Sequence, residues 1–334
     1  MTLDQTVPSA TRNNFSLRIL RTGLVVTWVL FCTLILLEVV MRVWGYAERH
    51  IYDPIYTSFD RTPDIPYIHK PNLTDARGRG LVIISTDSLG LRSVVGGVRS
   101  YPKQEQEFRI AIVSDSVTFG EGVPNTQDTF AQVLEDTLNQ RQQSLKVTVF
   151  NYGASAYSVK QMAATLEYRM VDIKPDLVVM AIIPSDFNLD RTPTVDTTGY
   201  LIDKRLIPLF PPDTWIRQVL RPIRLSYLIK DVGYQWFFTR QDMRESLARG
   251  EVPDSYTFLQ HFKDTAARHS LPYLIVLPPS DREGVWDHVA QRLRADGLTY
   301  VDLSSLRKEF IPERYRASRF DVHPSRFTGE SVKL

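Results

Sequence analysis

Cysteine is almost missing from this sequence: there is one in 334 residues, Cys32, and it stands inside an apolar run. That scarcity excludes a disulfide framework, a cysteine-based metal site and a thiol nucleophile in the soluble part of the chain. It does not decide the compartment. An excess of either charge is missing too. The 40 Lys and Arg residues nearly cancel the 38 Asp and Glu residues, for a formal net charge of +2, so electrostatics gives no reason to expect a nucleic-acid partner. Internal repeats and low-complexity tracts are absent. What is there is an ordinary globular composition, 43% hydrophobic and 23% charged, on a chain long enough for one large domain or two smaller ones.

One long hydrophobic run stands out. Residues 1–16 are polar and are expected to be a cytoplasmic tail. Leu17–Met41 is apolar and Gly23–Leu37 carries no charge, which approaches the roughly 20 residues that a bilayer-spanning helix needs. Glu38 lies near the end, within reach of the headgroup zone. A cleaved signal peptide competes with this reading. However, Val43-Trp44-Gly45-Tyr46 is bulky and shows no small-x-small cleavage pattern, and Trp44 and Tyr46 suit an interfacial aromatic belt. A buried core helix is the third alternative. The expectation is a membrane anchor over residues 17–47, with the lipid bilayer as partner. Arg12, Arg18 and Arg21 before the run, against Arg42 and Arg49 after it, favour a cytoplasmic N-terminus and an extracytoplasmic C-terminal domain.

Residues 48–104 are rich in Pro, Tyr and Asp, with turn signals and little periodicity, and read as a stalk and accessory segment. From Phe108 onward strands and helices alternate. Strands are expected at Ile110–Val113, Lys146–Phe150, Asp176–Ile183, Tyr273–Leu277 and Thr299–Val301. Helices are expected at Thr129–Gln140, after the Ser158/Gln161 capping-box pair, at Ser255–His269 and at Gly284–Ala295. This pattern predicts an α/β fold, a three-layer α/β/α sandwich with a five-stranded parallel sheet, over residues 105–334. Residues 188–241 form a long insertion with aromatic stretches around Trp215, Tyr227 and Trp236-Phe237-Phe238, material that lids a site or rests on a membrane.

The chemistry centres on Phe108–Val123. An apolar strand breaks into Ser114-Asp115-Ser116, a Gly-bearing loop follows, and then a helix. Strand, sharp turn and helix lift one side chain out of a sheet, and Ser116 sits at that turn. Ser and Asp before a helix are also common caps, so the triplet alone has a purely structural reading. Gly153 follows the second strand, where a glycine permits close approach of a substrate to backbone, or simply makes a turn. Near the end stands Phe320-Asp321-Val322-His323-Pro324. His323 is the one histidine with a carboxylate beside it on a short loop after the last strand. His50, His69, His261, His269 and His288 read as surface or packing residues, and Arg92 as a solvated surface residue. As a metal site the Asp321–His323 pair is poor, lacking further ligands at suitable spacing.

Asp115-Ser116-Val117-Thr118-Phe119-Gly120, with Glu121-Gly122-Val123 and Asp128-Thr129-Phe130 behind it, resembles the first block of the SGNH (GDSL-type) hydrolases. Lys70-Pro71-Asn72 and Ile84–Arg92 resemble the lead-in of membrane-anchored members of that family, and the likeness extends over roughly residues 70–325. It implies a flavodoxin-like fold, with Ser116 as nucleophile, His323 as general base and Asp321 orienting the imidazole. Gly153 would supply an oxyanion N–H, and Ser185 would stand where the family places an oxyanion Asn. Ser114 replaces the family's usual Gly. The family's closing helix is expected to be absent or replaced, because the sequence ends at Leu334 shortly after Thr328-Gly329-Glu330.

The function implied is a membrane-anchored serine esterase or O-acyltransferase. Its substrate would be an O-acylated carbohydrate or a lipid-linked ester, and it would need no metal or organic cofactor. The substitutions at Ser114 and Ser185 motivate a rival, a catalytically inactive carbohydrate-binding or assembly protein on the same fold.

Overall fold

The computed structural model describes residues 10–47, 50–79, 82–93, 101–141, 144–204, 214–237, 243–280, 282–308, 316–318 and 321–324. Its centre is a five-stranded parallel sheet. The strands are β1 (Glu107–Val113), β2 (Lys146–Asn151), β3 (Leu177–Ala181), β4 (Tyr273–Leu277) and β5 (Tyr300–Asp302), in the order β5-β4-β3-β1-β2. That is the doubly wound 2-1-3-4-5 arrangement, as expected. Successive residues of a strand point to opposite faces, and β1 shows the consequence. Ile110 and Ile112 join Val147, Val149 and Val179 on one face, under Phe130, Leu134 and Leu138 of α3 (Phe130–Arg141). Ala111 and Val113 join Phe150, Val178 and Met180 on the other, under α4 (Val159–Thr165) and α8 (Thr257–Arg268). A helix α9 (Asp287–Ala295) precedes β5.

Strand β1 begins three residues earlier than the apolar run suggests. The fully buried Arg109 hides its first half from a hydropathy reading. Its guanidinium donates to Glu107 at 2.8 Å and to the Ile173 and Tyr101 carbonyls at 2.7 and 3.0 Å. A buried charge is tolerable when so many of its donors are used.

Residues 50–93 pack into the main core. Ile55, Tyr56, Ile65, Tyr67, Ile84 and Leu91 are buried in the same cluster as Val113 and Phe150 of the sheet. Arg92 is a correction to the solvated arginine expected: it is 3% exposed. It donates to the carbonyls of Gly120 at 2.5 Å and Val123 at 2.6 Å, with Phe119 O at 3.4 Å. The reason is the turn that closes the short helix α2 (Ser116–Phe119), where the carbonyls of Phe119, the C-cap Gly120 and Val123 come within reach of one guanidinium. A cation there also opposes the negative end of the helix dipole. His69, from the same segment, is a packing residue. It is 3% exposed and stacks on Phe119 at 3.9 Å with an interplanar angle of 7°.

At the N-terminal end, α1 (Ala10–Val43) contains the apolar stretch Leu17–Val43, 27 residues, which is long and apolar enough to cross a membrane. The described residues of the insertion after β3 include α5 (Trp215–Leu220) and α6 (Arg224–Phe237), and α7 (Met243–Ala248) follows it. Past β5, β6 (Arg316–Ser318) and β7 (Asp321–Pro324) pair antiparallel. The closing segment after Thr328, for which the sequence predicts an absent or replaced helix, lies outside the described residues.

Two outcomes follow from this packing. Arg92→Met takes the donor from the buried Val123 carbonyl, while Gly120 O keeps Val123 N–H at 3.1 Å, and is expected to lower the unfolding free energy by about 1–3 kcal/mol, measured by urea denaturation. His69 gives a pH signature. Burial, then the charges of Arg169, Arg92 and Arg79, bring its pKa from 6.5 down to about 3. Between those values the unfolded chain binds a proton that the folded chain refuses. The stability tied to neutral His69 is therefore complete above the unfolded pKa and is lost as pH falls toward the folded one. Across that window the wild type is expected to lose about 1.4 kcal/mol per pH unit relative to His69→Phe. Parallel pH profiles for the two proteins would refute this.

Candidate active site

The site is built at the carboxyl edge of the sheet, where open α/β folds bind ligands. β1 lies between β3 and β2, and it runs directly into Ser114-Asp115-Ser116. Asp115 is the N-cap of α2, its Oδ1 accepting from Val117 N–H at 2.9 Å. Ser116 is the first helical residue and is 5% exposed. The helix lasts one turn because Gly120 takes the left-handed conformation (φ 86°, ψ 41°), its N–H returning to the carbonyls of Ser116 and Val117 at 3.1 Å each.

The loop after β2 presses on that turn. A Cβ at Gly153 would fall 2.4 Å from Phe119 N and 3.0 Å from Asp115 O, so only glycine lets the two backbones meet. Asn151 locks the contact. Its Oδ1 accepts from Gly153 N–H at 2.9 Å, and its Nδ2 donates to Thr118 O at 2.7 Å. Gly153 N–H, expected as an oxyanion donor, thus has Asn151 as its acceptor in this conformation.

The loop after β3 brings charge. Ser185 Oγ accepts from Arg191 Nη1 at 2.5 Å, and the same nitrogen donates to Asp186 Oδ1 at 2.7 Å. Arg191 Nη2 reaches Asp115 Oδ2 at 3.1 Å. One guanidinium therefore ties Ser185 and Asp186 to the residue beside Ser116. Asp115 and Asp186 are both buried, with side-chain exposures of 1% and 0%. Burial, then the neighbouring Asp115, pushes Asp186 well above the usual carboxylate range, against the opposing pull of Arg191 and of Ile183 N–H. A proton on Asp186 would leave one anion facing one cation, which is how a dry site avoids excess charge.

For Asp321 and His323 the structure describes the backbone and not the side chains. That backbone is β7, and Cα atoms of β7 come within 8 Å of Cα atoms of α2. Ser116, Gly153 and Ser185 thus surround one turn, and the strand bearing Asp321 and His323 returns beside it. A cleft of about 280 Å³ adjoins this group, lined by Phe187, Asn188, Leu189 and Met243 among others, but none of the expected site residues lines it. Among the described residues there is no cluster of three or more His, Cys, Asp or Glu side chains that could hold a metal ion.

Sequence reasoning passed over Arg191 and Asn151. A signal for Arg191 was present: two acidic residues, Asp115 and Asp186, each just past a strand end, need a nearby cation, and Arg191 follows the second by five positions. Asn151 carried no such signal. We expect Arg191→Met to destabilise the fold by about 3 kcal/mol, the lower end for a broken buried pair, because Asp186 can take up a proton. Adding Asp186→Asn should recover part of the loss in urea denaturation. Equal stability of the single and double variants would speak against a shared countercharge.

No protein-family model matches the chain, and no curated protein matches it. Among solved structures it is similar to LAE5, an alpha/beta hydrolase enzyme from the metagenome of Lake Arreo, at 16% identity and a TM-score of 0.39, over 65% of this chain and 87% of that one. It is also similar to a catalytic mutant of Axe2, an acetylxylan esterase from Geobacillus stearothermophilus, at 15% identity and a TM-score of 0.36, over 65% and 87%. A GDSL-like lipase from Bacteroides thetaiotaomicron matches at 10% identity and a TM-score of 0.35, over 70% and 86%. Likenesses this distant carry no argument, and the fold rests on the sheet order and register of the chain itself.

Proposed function

We propose that the protein is a membrane-anchored serine ester hydrolase or O-acyltransferase. The observation that carries this reading is the setting of Ser116, the first residue of a one-turn helix after the sheet's inner strand β1, with the backbone of β7 alongside. In the proposed reaction Ser116 Oγ attacks an ester carbonyl as His323 takes its proton, with Asp321 orienting the imidazole. The tetrahedral oxyanion is held by the backbone N–H groups of Ser116 and Gly153 and by the Ser185 hydroxyl. For Gly153 this requires its N–H to leave Asn151 Oδ1, 2.9 Å away. Collapse breaks the ester C–O bond, and the leaving oxygen recovers the proton from His323. The acyl group on Ser116 then passes to water or to a sugar hydroxyl.

Ser185 stands where the resemblance calls for Asn, and its hydroxyl is fixed by Arg191 rather than rotating freely. A cation-bound hydroxyl is a better aimed and stronger donor than a free one. The chain's own contacts with its apolar helix favour an anchor over a cleaved leader. Arg42 Nη2 donates to Pro222 O at 3.2 Å, and Tyr46 OH donates to Asp231 Oδ2 at 2.7 Å. An outward-facing domain on a membrane suits acylated surface carbohydrate or lipid-linked esters as substrate.

The second reading is a non-catalytic carbohydrate-binding or assembly protein. Its specific support is that Gly153 N–H already has an acceptor within the protein, Asn151 Oδ1. A fluorophosphonate probe separates the two readings. An active enzyme is labelled and the Ser116→Ala variant is not, whereas a folded wild type that stays unlabelled supports the binding protein. For an active enzyme, free acid in water marks a hydrolase and acyl transfer to an added glycan marks a transferase.

A further inference from the structure

Helix α6 is joined to the apolar helix α1 by charges that lie inside the apolar stretch. Glu38 accepts through Oε1 from Arg224 N–H at 3.0 Å and through Oε2 from Leu225 N–H at 2.9 Å. It thereby caps the N-terminus of α6, while also pairing with Arg42 at 2.8 Å. Just past the end of α1, Tyr46 OH donates to Asp231 of α6, and Arg224 Nη1 donates to Tyr46 O at 2.6 Å.

This arrangement sets a depth. Glu38 precedes Val43, the end of the apolar stretch, by five residues, or about 7.5 Å of helix. The α5–α6 junction must sit at that level. Its neighbours have the surface that such a level demands. Trp215, Ile216 and Val219 of α5 are 72%, 42% and 54% exposed, and Ile229 and Val232 of α6 are 66% and 46% exposed. Ile229 and Val232 share a helix face, as do Ile216 and Val219. Residues 215–237 carry four basic side chains (Arg217, Arg221, Arg224, Lys230) and one acidic (Asp231), the bias that anionic headgroups attract.

We infer that α5 and α6 are embedded in the lipid leaflet through which α1 leaves the membrane, with Trp215, Ile216, Val219, Ile229 and Val232 against acyl chains. The implied depth matches the roughly 5–10 Å to which interfacial amphipathic helices sink. The inference rests on the anchor reading of α1. The occupant of this apolar surface is the bilayer itself, because Glu38, inside the apolar stretch of α1, bonds the start of α6, and the end of that stretch is bare too, with Val43 79% exposed. The catalytic domain is then held at the membrane by a second element besides α1, which restricts its reach to esters presented at the surface.

The test uses the full chain with Cys32→Ser, reconstituted in phosphatidylethanolamine–phosphatidylglycerol vesicles. Nitroxide labels are placed singly at Val219→Cys and Ile229→Cys, both exposed positions where a label displaces nothing packed. Leu30→Cys in α1 and Asp264→Cys on α8 serve as references. Power saturation compares relaxation by oxygen, which concentrates in lipid, with relaxation by a water-soluble nickel chelate. Labels at 219 and 229 are expected to follow Leu30, with oxygen dominating, and to show the reverse of Asp264. If 219 and 229 match Asp264 while Leu30 reads as lipid, the embedding of α5 and α6 is wrong and the anchor stands. If Leu30 itself reads as aqueous, the anchor falls and this inference with it.

Discussion

A helix of four residues has almost no stability of its own, since helix nucleation is unfavourable and a single turn repays little of it. Yet α2 is the element that displays Ser116. Its geometry is therefore imposed from outside, and three separate parts of the chain do the imposing. Arg92 takes its terminal carbonyls, Asn151 takes Thr118 O, Gly153 closes on its backbone, and Arg191 holds the capping Asp115. His69 stacks on Phe119 at its end. The clamps come from the segment before the sheet, the end of β2 and the loop after β3, so the position of the Ser116 hydroxyl reports on the integrity of the whole sheet edge.

This convergence explains why residues 50–93 belong to the core. Arg92 and His69 both come from that segment, and both act on α2. Tyr56 and Tyr67 bury their rings beside them, with Tyr56 OH at 2.7 Å from Ser155 Oγ and Tyr67 OH donating to Ser155 O. Ser155 Oγ in turn donates to the buried Glu121, which lies 3.7 Å from Arg79. Polar groups out of water need such partners, and here the partners are shared between the segment before the sheet and the loops after β1 and β2. The same economy governs the Asp115–Arg191–Asp186 group, where one guanidinium serves two carboxylates and a hydroxyl.

Local pattern determined much of the architecture. Five strands and the helices between them are legible because a strand buried on both faces is a run of apolar residues and an amphipathic helix repeats its apolar face every three or four residues. The apolar length of Leu17–Val43 is likewise a property of composition. Ser116, at the break between strand and helix, could be singled out because that break is itself a local signal.

What the tertiary structure decided concerns groups whose meaning depends on distant partners. Whether Arg92 is solvated or buried turns on carbonyls 28 to 31 residues away. Arg191 gains its role only when β1 and β3 are neighbours, since Asp115 and Asp186 are then close enough to need one cation. Arg109 breaks the hydropathy of β1 and is still its most enclosed charge. Burial of an ion is a property of its surroundings, and no window of sequence contains them. Apolar periodicity belongs to the chain itself, whereas the pairing of a charge is settled only when the fold brings its partners together.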